Sequence, residues 1–167
     1  YNAQAFMAYL QAFTATFTSV DKLESLIALL LAEEQFQAII FGTRPDCLPN
    51  DVVAYLKDLR QKLDVWCELG VQTSHDKTLQ RINRGHDFQQ SREAIEQLSS
   101  AGIPVTVHLI LGLPGETIGD FHQTIKNITS LPVQAIKLHN LHIVEGTALA
   151  KEYQQKPFPV FNEHEYS

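Results

Sequence analysis

The residues with chemistry to offer fall at a few places along the chain. Glu68 stands in the apolar run 65–71, toward the end of a segment that reads as a strand. A carboxylate at the C-terminal end of a parallel strand lies where such folds bind ligands; there it can accept hydrogen bonds from sugar hydroxyls or serve as a base. An internal salt bridge, for instance to Arg44 on the next strand, accounts for it equally well. Gln72 and Arg84 bracket a helix start, and Arg84 with Arg81 and Lys77 makes a local basic patch. The planar fork of an arginine suits a carboxylate or phosphate, although a solvated basic face has the same composition. Gly112-Leu-Pro-Gly-Glu-Thr117 is a glycine turn between strand and helix, which alone reads as a chain reversal. His108, His139 and His142 raise the question of a metal. A regular strand turns His139 and His142 to opposite faces, and no Asp or Glu ligand spacing accompanies them, so no metal centre is expected. Cys47 and Cys67 form no CxxC pair, and Cys67 falls on the apolar side of its strand as a packed thiol.

The elements that must position these residues alternate. Apolar and aromatic residues 6–13 read as a first strand, and Ser19 opens a helix carrying Leu23, Leu26, Ile27, Leu30 and Leu31 at helical spacing. Residues 36–41 give a second strand, and Asn50 or Asp51 caps a helix with Val53, Leu56, Leu59 and Leu63 on one stripe. A third strand over 65–71 leads into a polar stretch, 72–86, and a helix over 87–100 stops at Ala101-Gly102. A strand over 105–111, a helix over 118–130, a strand over 135–144 and a helix over 148–155 complete a single domain, 1–155, before an irregular tail, 156–167. Alternating β and α predicts a parallel sheet with crossover helices. The fourth strand sets Val105, Val107, Leu109 and Leu111 on one face and Thr106, His108 and Ile110 on the other, ahead of Gly112. The third repeats this with Glu68 and Gly70, the first with Tyr9 and Gln11, the fifth with Lys137 and His139. A doubly wound sheet is apolar on both faces, so one polar face predicts a (β/α) barrel, or part of one, whose inward side chains meet a ligand.

Composition narrows the partners. The chain has 167 residues, 44% of them hydrophobic, and a formal net charge of −6 at pH 7. That is enough for one sizeable core and too little for two ordinary domains. An acidic balance disfavours a broad nucleic-acid surface. No apolar run reaches membrane-spanning length, and two cysteines fit a reducing, cytoplasmic setting without a disulfide framework.

Several ordered motifs together resemble the radical S-adenosylmethionine (SAM) superfamily. They are Glu68-Leu-Gly-Val-Gln-Thr73, His75-Asp76, Arg81-Ile-Asn-Arg-Gly-His86 and His108-Leu-Ile-Leu-Gly-Leu-Pro-Gly-Glu-Thr117. Gly42-Thr-Arg-Pro-Asp-Cys-Leu-Pro49 and Lys137-Leu-His-Asn-Leu-His142 fit the same branch, that of YhcC-like proteins related to elongator protein 3. The resemblance implies an α/β partial TIM barrel, this chain supplying strands two to six of the radical SAM core. It implies SAM bound at the barrel mouth against a [4Fe–4S] cluster and reductively cleaved to a 5′-deoxyadenosyl radical. Gln72 and Arg84 would hold the methionine end and ribose, and His108, Ile110 and Gly112 would border the adenine. Glu68 and Lys137 would face SAM or substrate. The three-thiolate CxxxCxxC motif is absent from this sequence. The expectation is therefore the central portion of such an enzyme, inactive alone, acting in its longer form on a tRNA or a small molecule. An exposed first strand would favour homodimerisation. A non-catalytic scaffold and a histidine-based metal hydrolase stand as the alternatives.

Overall fold

Side-chain alternation along the strands decides which face of the sheet the helices cover. The computed structural model describes residues 5–11 and 14–161. Its elements run β1 (Phe6–Leu10), α1 (Val20–Glu33), β2 (Phe36–Thr43), a 3-10 turn (Pro45–Cys47), α2 (Asn50–Leu59), β3 (Asp64–Gln72), α3 (Asp76–Arg81), α4 (Phe88–Ser100), β4 (Val105–Leu111), α5 (Ile118–Thr129), β5 (Ala135–Asn140) and α6 (Ala148–Gln155). The strands are all parallel, in the order β1-β2-β3-β4-β5. On the outward face Ile39, Phe41, Val65, Cys67, Leu69, Val71, Val105, Val107 and Leu109 are fully buried. They pack in one core with Leu23 and Ile27 of α1, Val52 and Leu56 of α2, Ile95 and Leu98 of α4, and Ile128 of α5. Burying each such side chain contributes about 1.5–3 kcal/mol, so the helix layer fixes which strand residues turn inward.

The sheet curls into a half-barrel. Lys137 on β5 places its Nζ 5.3 Å from the centre of the Tyr9 ring on β1. In a flat sheet the four gaps of about 4.8 Å would set these strands about 19 Å apart, beyond the combined reach of the two side chains. The inward face is therefore concave, and the first and last strands meet across it.

Local departures from the sequence reading have local causes. The stretch 72–86 contains a short helix, α3, too brief for a readable period, with one fully buried leucine, Leu79. β5 ends at Asn140 rather than at 144, because β4 ends at Leu111 and Gly112 (φ 85°) turns its chain away. Pro49, not Asn50 or Asp51, takes the N-cap position of α2, and Leu63 lies past that helix's end. Gly102 (φ 76°) stops α4 as expected. The strand expected over 6–13 is seen over Phe6–Leu10; its positions 12–13, like the tail's 162–167, lie outside the described residues. Among the described residues β1 pairs with β2 alone, so its other side is a sheet edge. No helix of the described residues is long and apolar enough to cross a membrane.

Candidate functional site

Register brings the inward polar residues of four strands together around Glu68. Gly42 of β2 and Thr106 of β4 stand opposite it, and Gly70, one step along, stands opposite His108, which in turn pairs with Lys137. Gly42 has no side chain, and a Cβ there would lie 4.0 Å from the Tyr9 hydroxyl, so the phenol passes over it. Tyr9 donates its hydroxyl to Glu68 Oε2 at 2.5 Å, His108 Nε2 meets the same oxygen at 2.7 Å, and Lys137 Nζ stands 3.6 Å from it. Burial pushes the Glu68 carboxyl up, but the hydrogen bonds from Tyr9 and His108 and the charges beside it outweigh that and hold it below the usual range. Burial, with the Glu68 hydrogen bond, raises the Tyr9 phenol to about 12. Burial also lowers His108 despite its carboxylate neighbour. Arg44, the other partner open to Glu68, instead binds Asp46 through Nε at 2.9 Å and Nη2 at 2.5 Å.

Beyond this layer, toward the strand ends, lies Gly70. A Cβ on it would stand 2.8 Å from Gln72 Nε2 and 2.9 Å from Arg84 Nη2, so both side chains fold over the bare glycine. Arg84 donates from Nη2 to the Gly70 carbonyl at 3.0 Å, and His86 Nε2 meets that carbonyl at 3.2 Å. Arg84 Nε is buried with no hydrogen-bond partner among the described residues. Burial, then the Arg44 charge, lowers the Arg84 guanidinium. Tyr9, Gly42, Glu68, Gly70, Arg84 and His108 line one cavity of about 330 Å³.

Of the residues singled out in the sequence, Glu68, Arg84 and His108 line this cavity. Gln72 reaches it over Gly70, and Lys137 touches Glu68 from the closing strand. Ile110 is half-buried and pairs with His139, and Gly112 ends the strand; neither lines the cavity. The basic patch does not form, because Arg81 pairs with Glu152 of α6 and lies over the Phe158 ring. The His108 and His139 rings tilt together at 4.9 Å, with His139 Nε2 buried and unpartnered among the described residues, while His142 lies past the end of β5. Among the described residues no three His, Cys, Asp or Glu side chains gather as a metal site. The sequence reading placed Tyr9 on the inward polar face but missed its bond to Glu68, for which the side-chain-free Gly42 on the adjacent strand makes room.

The model of the radical SAM superfamily matches residues 9–128. The chain belongs to that superfamily. A model of the radical SAM C-terminal domain matches residues 133–167. The chain is 42% identical over 153 residues to Protein YhcC of Escherichia coli (strain K12), covering 91% of this chain and 50% of that protein. It is 40% identical over 161 residues to the uncharacterized protein YtqA of Bacillus subtilis (strain 168), covering 96% of this chain and 50% of that one. It thus spans about half the length of these curated relatives. Among solved structures, Elp3 of the archaeon Methanocaldococcus infernus with an N-terminal deletion superposes with a TM-score of 0.84 at 21% identity, covering 95% of this chain and 42% of that one. That similarity is of fold: the five-stranded half-barrel is the radical SAM partial TIM barrel.

Radical SAM proteins in their intact form work with SAM and a [4Fe–4S] cluster. The residues present fit the first. A buried guanidinium with a free N–H, set over a glycine that has no room for a Cβ, is a cradle for the carboxylate end of an amino acid. They do not fit the second. Cys67 faces the helix layer, its thiol pushed by burial up to about 12, and Cys47 is buried in the 3-10 turn after β2. Two protonated thiols on separate elements cannot supply three thiolates.

Proposed function

We propose that this chain is the SAM-holding part of a radical SAM enzyme. The methionine end lies over Gly70 between Gln72 and Arg84, and the nucleoside runs along Glu68, His108, Ile110 and Gly112. The observation that carries this reading is Arg84, withdrawn from water with its Nη2 over a bare glycine and its Nε–H unsatisfied. A buried charge with an unsatisfied N–H is expensive, and a carboxylate with two acceptor oxygens offsets that cost. Glu68 gathers Tyr9, His108 and Lys137 on Oε2 among the described residues, which leaves Oε1 to accept a ribose hydroxyl. Tyr9 and His108, with the Lys137 charge beside them, hold that carboxylate ionised. In this superfamily bound SAM supplies, on reductive cleavage, a 5′-deoxyadenosyl radical. The thiolates for a cluster come from outside these residues, in the further length that the relatives have, so this chain by itself forms no radical.

Calorimetry with SAM tests the reading. Arg84→Ala is expected to weaken binding at least about tenfold, the loss of one charge-assisted hydrogen bond or more. Unchanged affinity would remove Arg84 from the site. After treatment with iron and sulfide the chain is expected to show no cluster absorbance in the visible; a stoichiometric cluster would overturn the second half of the proposal.

A further inference from the structure

We infer that Thr124, on α5 and outside the ligand cavity, is a positioning residue for Gln72, acting through a strained turn that it holds from behind. The inference rests on the reading of Gln72 as a SAM contact.

The strain is local and visible. Between Gly70 and Gln72 the register of β3 against β4 slips, so that Gly70 stands opposite His108 but Gln72 opposite Leu109. Plain alternation would keep Gln72 inward with Glu68 and Gly70, but the slip sets it opposite Leu109. Leu109 faces the helix layer and is fully buried there, so an extended Gln72 in the slipped register would turn outward. Instead Gln72 has φ 70°, and the Thr73 N–H donates to the Val71 carbonyl across it at 2.9 Å. This is the rare positive-φ form of the γ-turn, which a glutamine adopts only under constraint. It returns the side chain to the inward face, over Gly70.

The constraint lies in the two residues that follow. Thr73 is buried, donates its hydroxyl to Glu116 Oε1 at 2.7 Å, and stands 3.2 Å from Thr124 Oγ1. The Ser74 N–H donates to Thr124 Oγ1 at 3.2 Å, and the Ser74 hydroxyl meets the same oxygen at 3.1 Å. Asn127, one helical turn on, donates from Nδ2 to Ser74 Oγ at 2.9 Å. Thr124 itself is 1% exposed, and its hydroxyl is directed at the backbone and side chains next to Gln72 rather than at the ligand. Strained conformations persist where the surroundings over-determine them, and this cluster fixes the chain immediately after the strained residue.

A double-mutant cycle tests the coupling. SAM affinity is measured by calorimetry for the wild-type chain, Thr124→Val and Thr124→Ser, each with and without Gln72→Gly. Thr124→Val is expected to weaken SAM by about tenfold, the size typical of uncoupling bonded neighbours, and Thr124→Ser, which keeps the hydroxyl, to restore most of it. In the Gln72→Gly background Thr124→Val is expected to change affinity no further. Equal losses with and without Gln72, or no loss at all, would overturn the inference. A wild-type chain that fails to bind SAM would defeat the binding reading instead. The cycle then reads out in denaturant: Gln72→Gly raises the unfolding midpoint of the wild type by relieving the turn, and gives no such gain once Thr124→Val has let the turn relax. The same gain in both backgrounds would show that Thr124 does not hold the turn.

Discussion

Adding a single methyl group at Gly70 separates the site from the fold. A Cβ there would overlap Gln72 Nε2 at 2.8 Å and Arg84 Nη2 at 2.9 Å, while the nearest backbone atom, the Thr43 carbonyl oxygen, is at 3.7 Å, an ordinary contact. The overlaps are with the ends of flexible side chains, so Gly70→Ala moves two ligand groups and leaves the strand in place. Its cost to stability is the Arg84–Gly70 hydrogen bond, about 1.5–3 kcal/mol at most, offset by about 0.4–1 kcal/mol from the stiffer unfolded chain. Its cost to binding is larger. One charge-assisted and one neutral hydrogen bond to SAM are displaced together, about 2–4 kcal/mol, or roughly 30- to 700-fold in Kd. Titration calorimetry and urea unfolding measure the two effects on the same preparation. Gly119→Ala serves as control, since a Cβ in that first turn of α5 meets only Thr117 Oγ1, at 3.5 Å, and should leave SAM affinity unchanged. If Gly70→Ala bound SAM as tightly as the wild type, Gln72 and Arg84 would not be its ligands. If it unfolded several kcal/mol more easily, Gly70 would be serving the fold rather than the site.

Two further outcomes follow from the buried charges and thiols. Glu68 has a folded pKa below its ordinary value, so what its carboxylate contributes to stability is whole above the usual carboxylate range and is lost as pH falls through the folded pKa. Glu68→Gln is therefore expected to destabilise by about 1–3 kcal/mol at neutral pH and by progressively less below about pH 4; a gap that stays constant down to about pH 3 would contradict the charged network. Burial also raises both cysteines, Cys67 to about 12, so a thiol reagent at mildly alkaline pH should leave Cys67 unmodified in the native chain and modify it on unfolding. Rapid native labelling of Cys67 would mean that the outward face of β3 is not packed as described.

Strand parity carried most of the fold. The alternation of Val105, Val107, Leu109 and Leu111 against Thr106, His108 and Ile110 is a period of two that only a sheet with one covered face satisfies, and the fully buried outward residues have that parity. A glycine signal placed the C-terminal end of α4 at Gly102. The starts of α4 and α5 are fixed by capping boxes, Asp87 with Gln90 and Thr117 with Asp120, that the sequence reading did not use. Strand and helix limits set by a neighbour were not legible. β5 stops where β4 turns away at Gly112, a fact about another segment of chain. α3 is six residues long and offers no period to read.

The site was legible in its residue types and hidden in its pairings. Glu68 and His108 were visible because polar side chains stood at inward positions of a sheet with one apolar face. Arg84, in the loop before α4, was visible because a basic residue stood beside a helix start in a motif shared with the family. That Arg44 turns to Asp46, two residues along its own chain, while Tyr9 crosses from 59 residues away to Glu68, depends on curvature. Curvature is a property of the whole sheet, set by how the helix layer packs against it, and no local pattern encodes it. A short-range ion pair forms whatever the sheet does, whereas a contact between the outermost strands forms only if the sheet closes. The Lys137–Tyr9 approach is then as much a consequence of the outward-facing core as of the two residues that make it. A substitution that flattened the sheet would cost Glu68 two of its partners, Tyr9 and Lys137, without touching a ligand group, while the Arg84–Gly70 cradle within β3 and its own loop would persist.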